Sequence, residues 1–248
     1  MRNLRLDICY EGTRYRGWQR LSGVDNTVQG KLEQTLSRIL GEEIEISGSG
    51  RTDAGAHALG QVVNFHCNST MSAEEILSQL RRYLPEDIGI YSCRDAGERF
   101  HARLNAKTKT YRYRIWNSEA PCVFQRRFVT VIPQKLDVTA MEAAALHLLG
   151  EHDFSAFCAA KSKKKSTVRR VDSISITREG EELRFDITGN GFLYNMVRIM
   201  VGTLVEVGLH QRRVDSIPSL FGAARQEAGL LMPAQGLCLM EVDRKSVV

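Results

Sequence analysis

The sequence predicts a mixed α/β protein of two similar domains, each with a mixed, mainly antiparallel sheet that packs helices on one face. Two observations support this fold class. Segments that alternate apolar and polar residues, as half-buried strands do, are interleaved along the chain with segments of helical periodicity. The same succession of elements begins again near Lys107, so residues 1–106 and 107–248 are predicted to form the two domains.

The first half of the chain contains two helix patterns. Thr27 is placed to cap a helix that runs to about Leu40, and Ser72-x-x-Glu75 is a capping box that opens a second helix. The segments that alternate as strands are 3–10, 43–46, 61–65 and 88–92.

The second half repeats this alternation. Its predicted strands are 110–116, 173–177, 183–187 and 239–242, and its predicted helices are 139–149, 193–207 and 214–224. The long helix carries one apolar stripe, formed by Leu193, Met196, Val197, Met200, Val201, Leu204 and Val207. At ~100° per residue, Arg198 projects about 60° beyond the edge of that stripe. It could therefore either contact a partner or extend into solvent.

Composition limits the classes of function. The 248 residues carry a formal net charge of +5 and a pI of about 8.9, which permits a polyanionic partner without requiring one. Six cysteines without a C-x-x-C pair argue against structural zinc and suit thiols in a reducing compartment. The sequence shows no signal peptide and no apolar run near the ~18 residues of a membrane span. We therefore expect a cytoplasmic protein that is not bound to a membrane.

A glycine-rich loop between two predicted strands concentrates the reactive groups. Residues 48–57 hold Arg51, Asp53 and three glycines in ten positions. Glycines permit unusual backbone conformations and the close approach of a ligand. A tight turn with a capping Asp would have the same composition. The loop alone therefore leaves both a structural and a catalytic role open.

The loop sequence from Gly50 to Ala58 resembles the Gly-Arg-Thr-Asp-Ala-Gly-x-His-Ala signature of the TruA-type tRNA pseudouridine synthases. The resemblance extends over nearly the whole chain, in the same order. Further matching segments are 10–19, 27–33, 100–107, 111–113, 150–154, 167–169, 190–202 and 236–239. It implies two α/β domains whose sheets are joined around a central basic cleft. It also implies a homodimer that binds the anticodon stem-loop of tRNA.

The resemblance implies conversion of uridine into pseudouridine. The reaction breaks the N-glycosidic bond, rotates the base and rejoins it through carbon 5, so no redox step occurs and no cofactor is expected. A carboxylate held close to the ribose and base is required, and Asp53 matches the family's nucleophile. The residues do not choose between attack at carbon 6 of the base and attack at carbon 1′ of the sugar.

Three further residues match the family's active site. Arg198 is the implied cation beside Asp53. Tyr111 is the implied residue that packs on the target base, whereas Tyr113 is expected in the core. Arg51 resembles the Arg that helps to displace the target nucleotide, although a salt bridge within the loop is its plainer role. His57 is expected to brace the loop by a hydrogen bond rather than to act as a base.

Two groups of basic residues are expected to contact RNA phosphates. One comprises Arg99, Arg103, Lys107, Lys109, Arg112 and Arg114, and the other comprises Lys161, Lys163, Lys164, Lys165, Arg169 and Arg170. Arg103, Lys107, Lys163, Lys164 and Arg169 are the strongest candidates. No His, Asp or Glu spacing suggests a metal site.

Three other functions are compatible with parts of this pattern. They are pseudouridine synthesis in ribosomal RNA, RNA binding without catalysis, and hydrolysis of a small nucleoside. Binding alone does not need a carboxylate that faces a polyanion. Nucleoside hydrolysis would need a second nearby acid to protonate the leaving group, and the basic groups would then have no purpose.

Overall fold

The computed structural model describes residues 1–23, 26–159 and 166–244. The chain forms two compact units. One comprises Met1–Lys107 and the chain from Leu239, and the other comprises Thr108–Cys238. Within the described residues, no helix has the length and apolar character needed to cross a membrane.

The first unit contains an antiparallel sheet with two helices. Its strands before residue 100 are β1 (Arg2–Tyr10), β2 (Ile46–Gly48), β3 (His57–Cys67) and β4 (Ile88–Ala96), and its helices are α1 (Val28–Leu40) and α2 (Ala73–Tyr83). β1 lies between β3 and β4, and β2 pairs with β3. Leu4, opposite Phe65, and Leu6, opposite Val63, lie fully in the core.

Local capping positions both helices as predicted. The Thr27 side chain accepts a hydrogen bond from the Gly30 N–H, and Ser72 and Glu75 form the reciprocal capping box. β3 is longer than the predicted 61–65 because it pairs with β1 from Cys67 back to Ala58.

The second unit contains a sheet in the order β5-β9-β8-β7. Its strands are β5 (Ala106–Trp116), β6 (Thr130–Val131), β7 (Gly150–Asp153), β8 (Val168–Glu179) and β9 (Glu182–Gly189), and its helices are α3 (Val138–Leu146) and α4 (Met196–Gly208). The pairs β5–β9, β8–β9 and β7–β8 are antiparallel, whereas β6 pairs in parallel with β5. The mixed α/β class and the mainly antiparallel pairing are therefore confirmed.

Two predictions about helices in the second unit were wrong. The predicted helix 214–224 is a 3₁₀ helix, Val214–Leu220, because Pro218 lacks the N–H that an α-helix would need there. α4 is buried on nearly all sides rather than along one stripe, because the chain around Leu230 crosses it closely. A Cβ on Gly202 would lie 1.9 Å from the Leu230 carbonyl oxygen.

The last strand, β10 (Leu237–Arg244), leads the chain back to the first unit. There it lies beside β3. Gly60 permits this close approach, because a Cβ at that position would be 2.2 Å from the Met240 carbonyl oxygen. In the structure the segment from Leu239 thus packs with the N-terminal part of the chain, whereas the sequence placed it with residues 107–238.

Candidate active site

Gln61 anchors the start of the glycine-rich loop. Its side chain has no exposed surface. Its amide nitrogen donates to the Gly50 carbonyl at 2.8 Å, and its Oε1 accepts from the Gly50 N–H at 3.3 Å and from the Ser49 hydroxyl at 2.6 Å. The side chain therefore replaces the strand partner that Gly50 would otherwise need, one residue before Arg51.

The segment Tyr10–Trp18 holds the other side of the loop. Thr52 is fixed through its backbone and its side chain: its carbonyl accepts from the Trp18 N–H at 3.1 Å, and its hydroxyl lies 2.7 Å from the Tyr10 hydroxyl. The Gly55 N–H donates to the Tyr15 carbonyl at 3.3 Å. These contacts constrain the backbone on both sides of Asp53.

Two glycines of this segment are required by its closeness to the loop. A Cβ on Gly12 would lie 1.9 Å from the Ala56 carbonyl oxygen. Gly17 has φ +96°, and a Cβ there would lie 3.0 Å from the Thr52 carbonyl oxygen. Glycine is therefore required at position 17 for two reasons, because the backbone there is left-handed and because the loop approaches it closely.

His57 braces the same loop. The buried imidazole accepts a hydrogen bond from the Gly12 N–H at Nδ1, at 3.0 Å. An Nδ1 that accepts a hydrogen bond carries no proton. This geometry accords with the bracing role that was expected from the sequence.

Asp53 and Arg51 lie on the braced loop. Asp53 is partly exposed and Arg51 is exposed. The Asp53 carbonyl accepts from the Ala56 N–H at 3.1 Å, which closes a turn directly after the carboxylate. A partly exposed Asp on a fixed backbone can present its acid group to a large substrate at low entropic cost.

Tyr111 and Arg198 lie in the second unit. Tyr111, on β5, is 6% exposed, and its ring meets Phe192 edge to face with 5.3 Å between the ring centroids. Tyr113 lies in the core as predicted: its hydroxyl donates to the Pro233 carbonyl at 2.7 Å and contacts Thr130. Burial raises the pKa of Tyr113 well above its ordinary value.

The guanidinium of Arg198 is held by hydrogen bonds within its own unit. Nε donates to the Met232 carbonyl at 2.7 Å, and Nη1 donates to Asn195 Oδ1 at 2.9 Å. The side chain is partly buried. These bonds disfavour the alternative in which Arg198 merely extends into solvent.

The predicted RNA contacts differ in their surroundings. Arg103 and Lys107 are exposed, and Arg103 follows a tight turn in which its N–H donates to His101 Nδ1 at 3.2 Å. Arg169 donates to the carbonyls of Ser166 and Val168 at 3.0 and 2.6 Å. The candidates outside the described residues are Lys161, Lys163, Lys164 and Lys165.

Arg112 and Arg114 form ion pairs with carboxylates of β9. Both were expected from the sequence to be among the RNA contacts. Arg112 makes two bonds of 2.8 Å to Asp186, and Arg114 makes bonds of 2.8 and 2.6 Å to Glu182. Across the described part of the chain, no group of three or more His, Cys, Asp or Glu side chains could hold a metal ion.

Sequence reasoning missed the residues that hold the site in place. Gln61 could have been noticed as a polar residue at the start of an apolar strand. Asn195 resembles an ordinary helix cap, and its partner Arg198 lies only three positions later, where a cap bond to the backbone would also be expected. Met232 contributes its backbone carbonyl, which leaves no signal in the sequence. The partners of Gln61 and Met232 lie 11 and 34 positions away, and motif spacing does not reveal contacts at such separations.

Comparison with known proteins agrees with the motifs. A family described as tRNA pseudouridine synthase matches residues 8–105 and 144–243. The tRNA pseudouridine synthase A 2 of Bacillus cereus (strain ZK / E33L) is 47% identical over 244 residues, which span 98% of this chain and 100% of that protein. The tRNA pseudouridine synthase A of Acetivibrio thermocellus is 45% identical over 243 residues, which span 98% and 99%.

A third relative extends this agreement. The tRNA pseudouridine synthase A 1 of Clostridium tetani is 44% identical over 244 residues, which span 98% of this chain and 100% of that protein. The similarity therefore covers both units. The chain belongs to the TruA-type tRNA pseudouridine synthase family of RNA isomerases, as its motifs predicted.

Proposed function

We propose that this enzyme converts uridine into pseudouridine in the anticodon stem-loop of tRNA, with Asp53 as its nucleophile. One observation carries the assignment of Asp53. Hydrogen bonds fix the loop backbone on both sides of this residue, and the residue itself is partly exposed. A loop braced by both Gln61 and Tyr10–Trp18 can hold a reactive carboxylate in a fixed position, as the family motif implies.

The reaction is an isomerisation that balances without a co-reactant. The bond between N1 and carbon 1′ breaks, the base rotates, and a bond between carbon 5 and carbon 1′ forms. The hydrogen on carbon 5 leaves as a proton, and N1 takes up a proton. A carboxylate that attacks carbon 6 or carbon 1′ would form a covalent intermediate and divide the step in two.

The proposal gives Arg198, Tyr111 and Arg51 roles in the same reaction. Arg198 would keep Asp53 ionised by supplying a cation. Tyr111, whose ring is held edge to face by Phe192, would pack on the target base. The exposed guanidinium of Arg51 would hold the flipped nucleotide or fill its place in the stack. These roles are supported by the family motifs.

Substrate binding would rest on phosphate contacts. Arg103 and Lys107 are exposed cations, and Arg169 lies at the start of β8. Lys163 and Lys164 complete the proposed set. A net charge of +5 suits an RNA partner. We also propose a homodimer that works in the cytoplasm, on the resemblance to the family, with two subunits sharing one extended substrate.

Tritium release from unmodified tRNA labelled at carbon 5 of uridine tests the function directly. The wild type should release tritium, and Asp53→Asn should release none while binding tRNA with an affinity close to that of the wild type. Asn keeps the size of the side chain but cannot attack as a carboxylate. Loss of tRNA binding or of the folded state in Asp53→Asn would instead make Asp53 structural.

The same assay separates the alternative substrates. A tRNA in which only the anticodon stem-loop uridines are replaced by cytidines, and whose remaining uridines are labelled, should release no tritium. Release from ribosomal RNA but not from tRNA would contradict the proposed substrate. Binding of tRNA without release from either RNA would leave RNA binding as the function.

A further inference from the structure

Asn195 behaves unlike an ordinary residue at the start of a helix. It precedes α4 with φ 63° and ψ 7°, in the left-handed region, and its side chain makes no capping bond to the helix. An Asn cap usually has an extended backbone, and its side chain accepts from the second or third N–H of the helix. At this helix the Asn side chain is therefore directed elsewhere.

The side chain of Asn195 binds Arg198. Oδ1 accepts from Arg198 Nη1 at 2.9 Å, and Asn195 is only 8% exposed. The Met232 carbonyl accepts from Nε of the same guanidinium at 2.7 Å. Because the guanidinium is planar and its N–H groups form a rigid fork, bonds at two different nitrogens fix the orientation of the whole group.

The chain just before Met232 is held against α4. The Gly229 N–H donates to the Thr203 hydroxyl at 3.0 Å, and the Leu230 N–H donates to Glu206 at 3.1 Å. A Cβ on Gly229 would lie 2.6 Å from Thr203. The chain that leads to Met232 is thus held against α4, and the Met232 carbonyl and Asn195 Oδ1 both accept from the Arg198 guanidinium.

We propose that Asn195 is a positioning residue that orients the Arg198 guanidinium for the reaction. This inference rests on the proposed role of Arg198 as the cation beside Asp53. A left-handed backbone is uncommon for residues other than glycine, and Asn is among those that adopt it most readily. At Asn195 this backbone places the amide on Arg198 instead of on the helix N-terminus.

Asn195→Gly tests the proposal, because glycine adopts the left-handed backbone without strain but has no acceptor. We expect kcat for tritium release to fall about tenfold or more, with KM for tRNA within about twofold and Tm no lower than that of the wild type. Asn195→Asp keeps an acceptor oxygen at the same place, so its kcat should fall less than that of Asn195→Gly, although the new carboxylate offsets part of the charge of Arg198. Its KM should rise, because the added negative charge repels RNA.

His210→Gly is the matched control. His210 also has a left-handed backbone, with φ 58°, so the substitution likewise places a glycine in that conformation, and it removes a contact with Asp137 rather than one with Arg198. Its kcat should equal that of the wild type. In an Arg198→Lys background, Asn195→Gly should lose most of its effect on kcat, because Asn195 is proposed to act through the guanidinium.

The outcomes separate cleanly. The inference is overturned if Asn195→Gly keeps kcat within about twofold of the wild type, if the loss persists undiminished in the Arg198→Lys background, or if Asn195→Gly fails to fold while His210→Gly folds. A wild type that releases no tritium from tRNA would contradict the proposed function itself, which is a different result.

Discussion

Gln61 illustrates how a single buried amide can fix a loop that carries candidate catalytic residues. Gly50 lies where the strand pairing of β2 has ended, so its N–H and carbonyl would be unpaired in the interior without another partner. The amide of Gln61 offers both a donor and an acceptor, and it binds both groups. No apolar residue of similar size could do so, which explains a fully buried polar side chain at this position.

Gln61→Met should therefore be costly despite its similar size. It leaves the Gly50 N–H and carbonyl and the Ser49 hydroxyl without their partner, and a buried unpaired group costs about 1–3 kcal/mol. We expect the free energy of unfolding in urea to fall by about 2–4 kcal/mol, together with a loss of tritium release. Ser49→Ala removes only the hydroxyl bond and should cost about 1 kcal/mol. Equal losses in the two variants would show that the bonds to Gly50 contribute little.

At the scale of elements, charge pairing fixes how β5 and β9 lie together. Arg114 on β5 is directly opposite Arg184 on β9, and like charges in that arrangement destabilise a sheet. Glu182 resolves the conflict, because its carboxylate accepts from Arg114 at 2.6 Å and from Arg184 at 2.6 Å. Burial alone would raise the pKa of Glu182, but the hydrogen bonds from the two arginines outweigh it and lower the pKa.

The lowered pKa of Glu182 predicts how this stabilisation depends on pH. A carboxyl group whose pKa is lower in the folded than in the unfolded protein stabilises the folded state when the pH is above its pKa in the unfolded protein, here 4.5. This stabilisation is lost as the pH falls through the lower pKa of the folded protein. Glu182→Gln should lower the free energy of unfolding by about 2 kcal/mol at neutral pH, because two arginines lose their counter-charge. The difference from the wild type should shrink when urea unfolding is repeated below the unfolded pKa.

Glu179→Gln is the control for this prediction. Glu179 pairs with the same Arg184, but its side chain is 70% exposed. An exposed ion pair contributes little, so the change should cost less than about 0.5 kcal/mol at any pH. A pH-independent loss in Glu182→Gln would mean that packing, rather than charge, accounts for its effect.

For the molecule as a whole, structural features that depend on neighbouring residues could be predicted from the sequence, whereas features that depend on long-range contacts could not. The starts of α1 and α2 follow from Thr27 and Ser72, because a cap involves residues only three positions apart. The length of β3 depends on pairing with β1, about fifty residues earlier in the chain, and the burial of α4 depends on the chain near Leu230. Neither leaves a periodic signal in its own segment.

The candidate site follows the same rule. Asp53 and Arg51 are adjacent in one motif, so the sequence located them together on a loop. The supports of that loop come from Tyr10–Trp18 and Gln61, and the supports of Arg198 come from Asn195 and Met232. A helix that begins with Asn predicts a cap, and only the backbone conformation reveals that the side chain binds an arginine instead.

The net positive charge of the whole chain makes a prediction about salt. If RNA binding rests on phosphate contacts, KM for tRNA should rise steeply between about 50 and 200 mM salt, because added salt reduces the free energy gained when counterions are released from the phosphates. The kcat should change little, because the chemical step releases no counterions. Arg103→Ala combined with Lys107→Ala removes two exposed cations and should reduce the slope of log KM against log salt by about 1–2.

Arg213→Ala is the matched control, because Arg213 is also exposed but is paired with Asp215 at 2.6 Å. A slope that falls equally in the control would indicate general charge attraction, and an unchanged slope in the double variant would remove Arg103 and Lys107 from the RNA contacts.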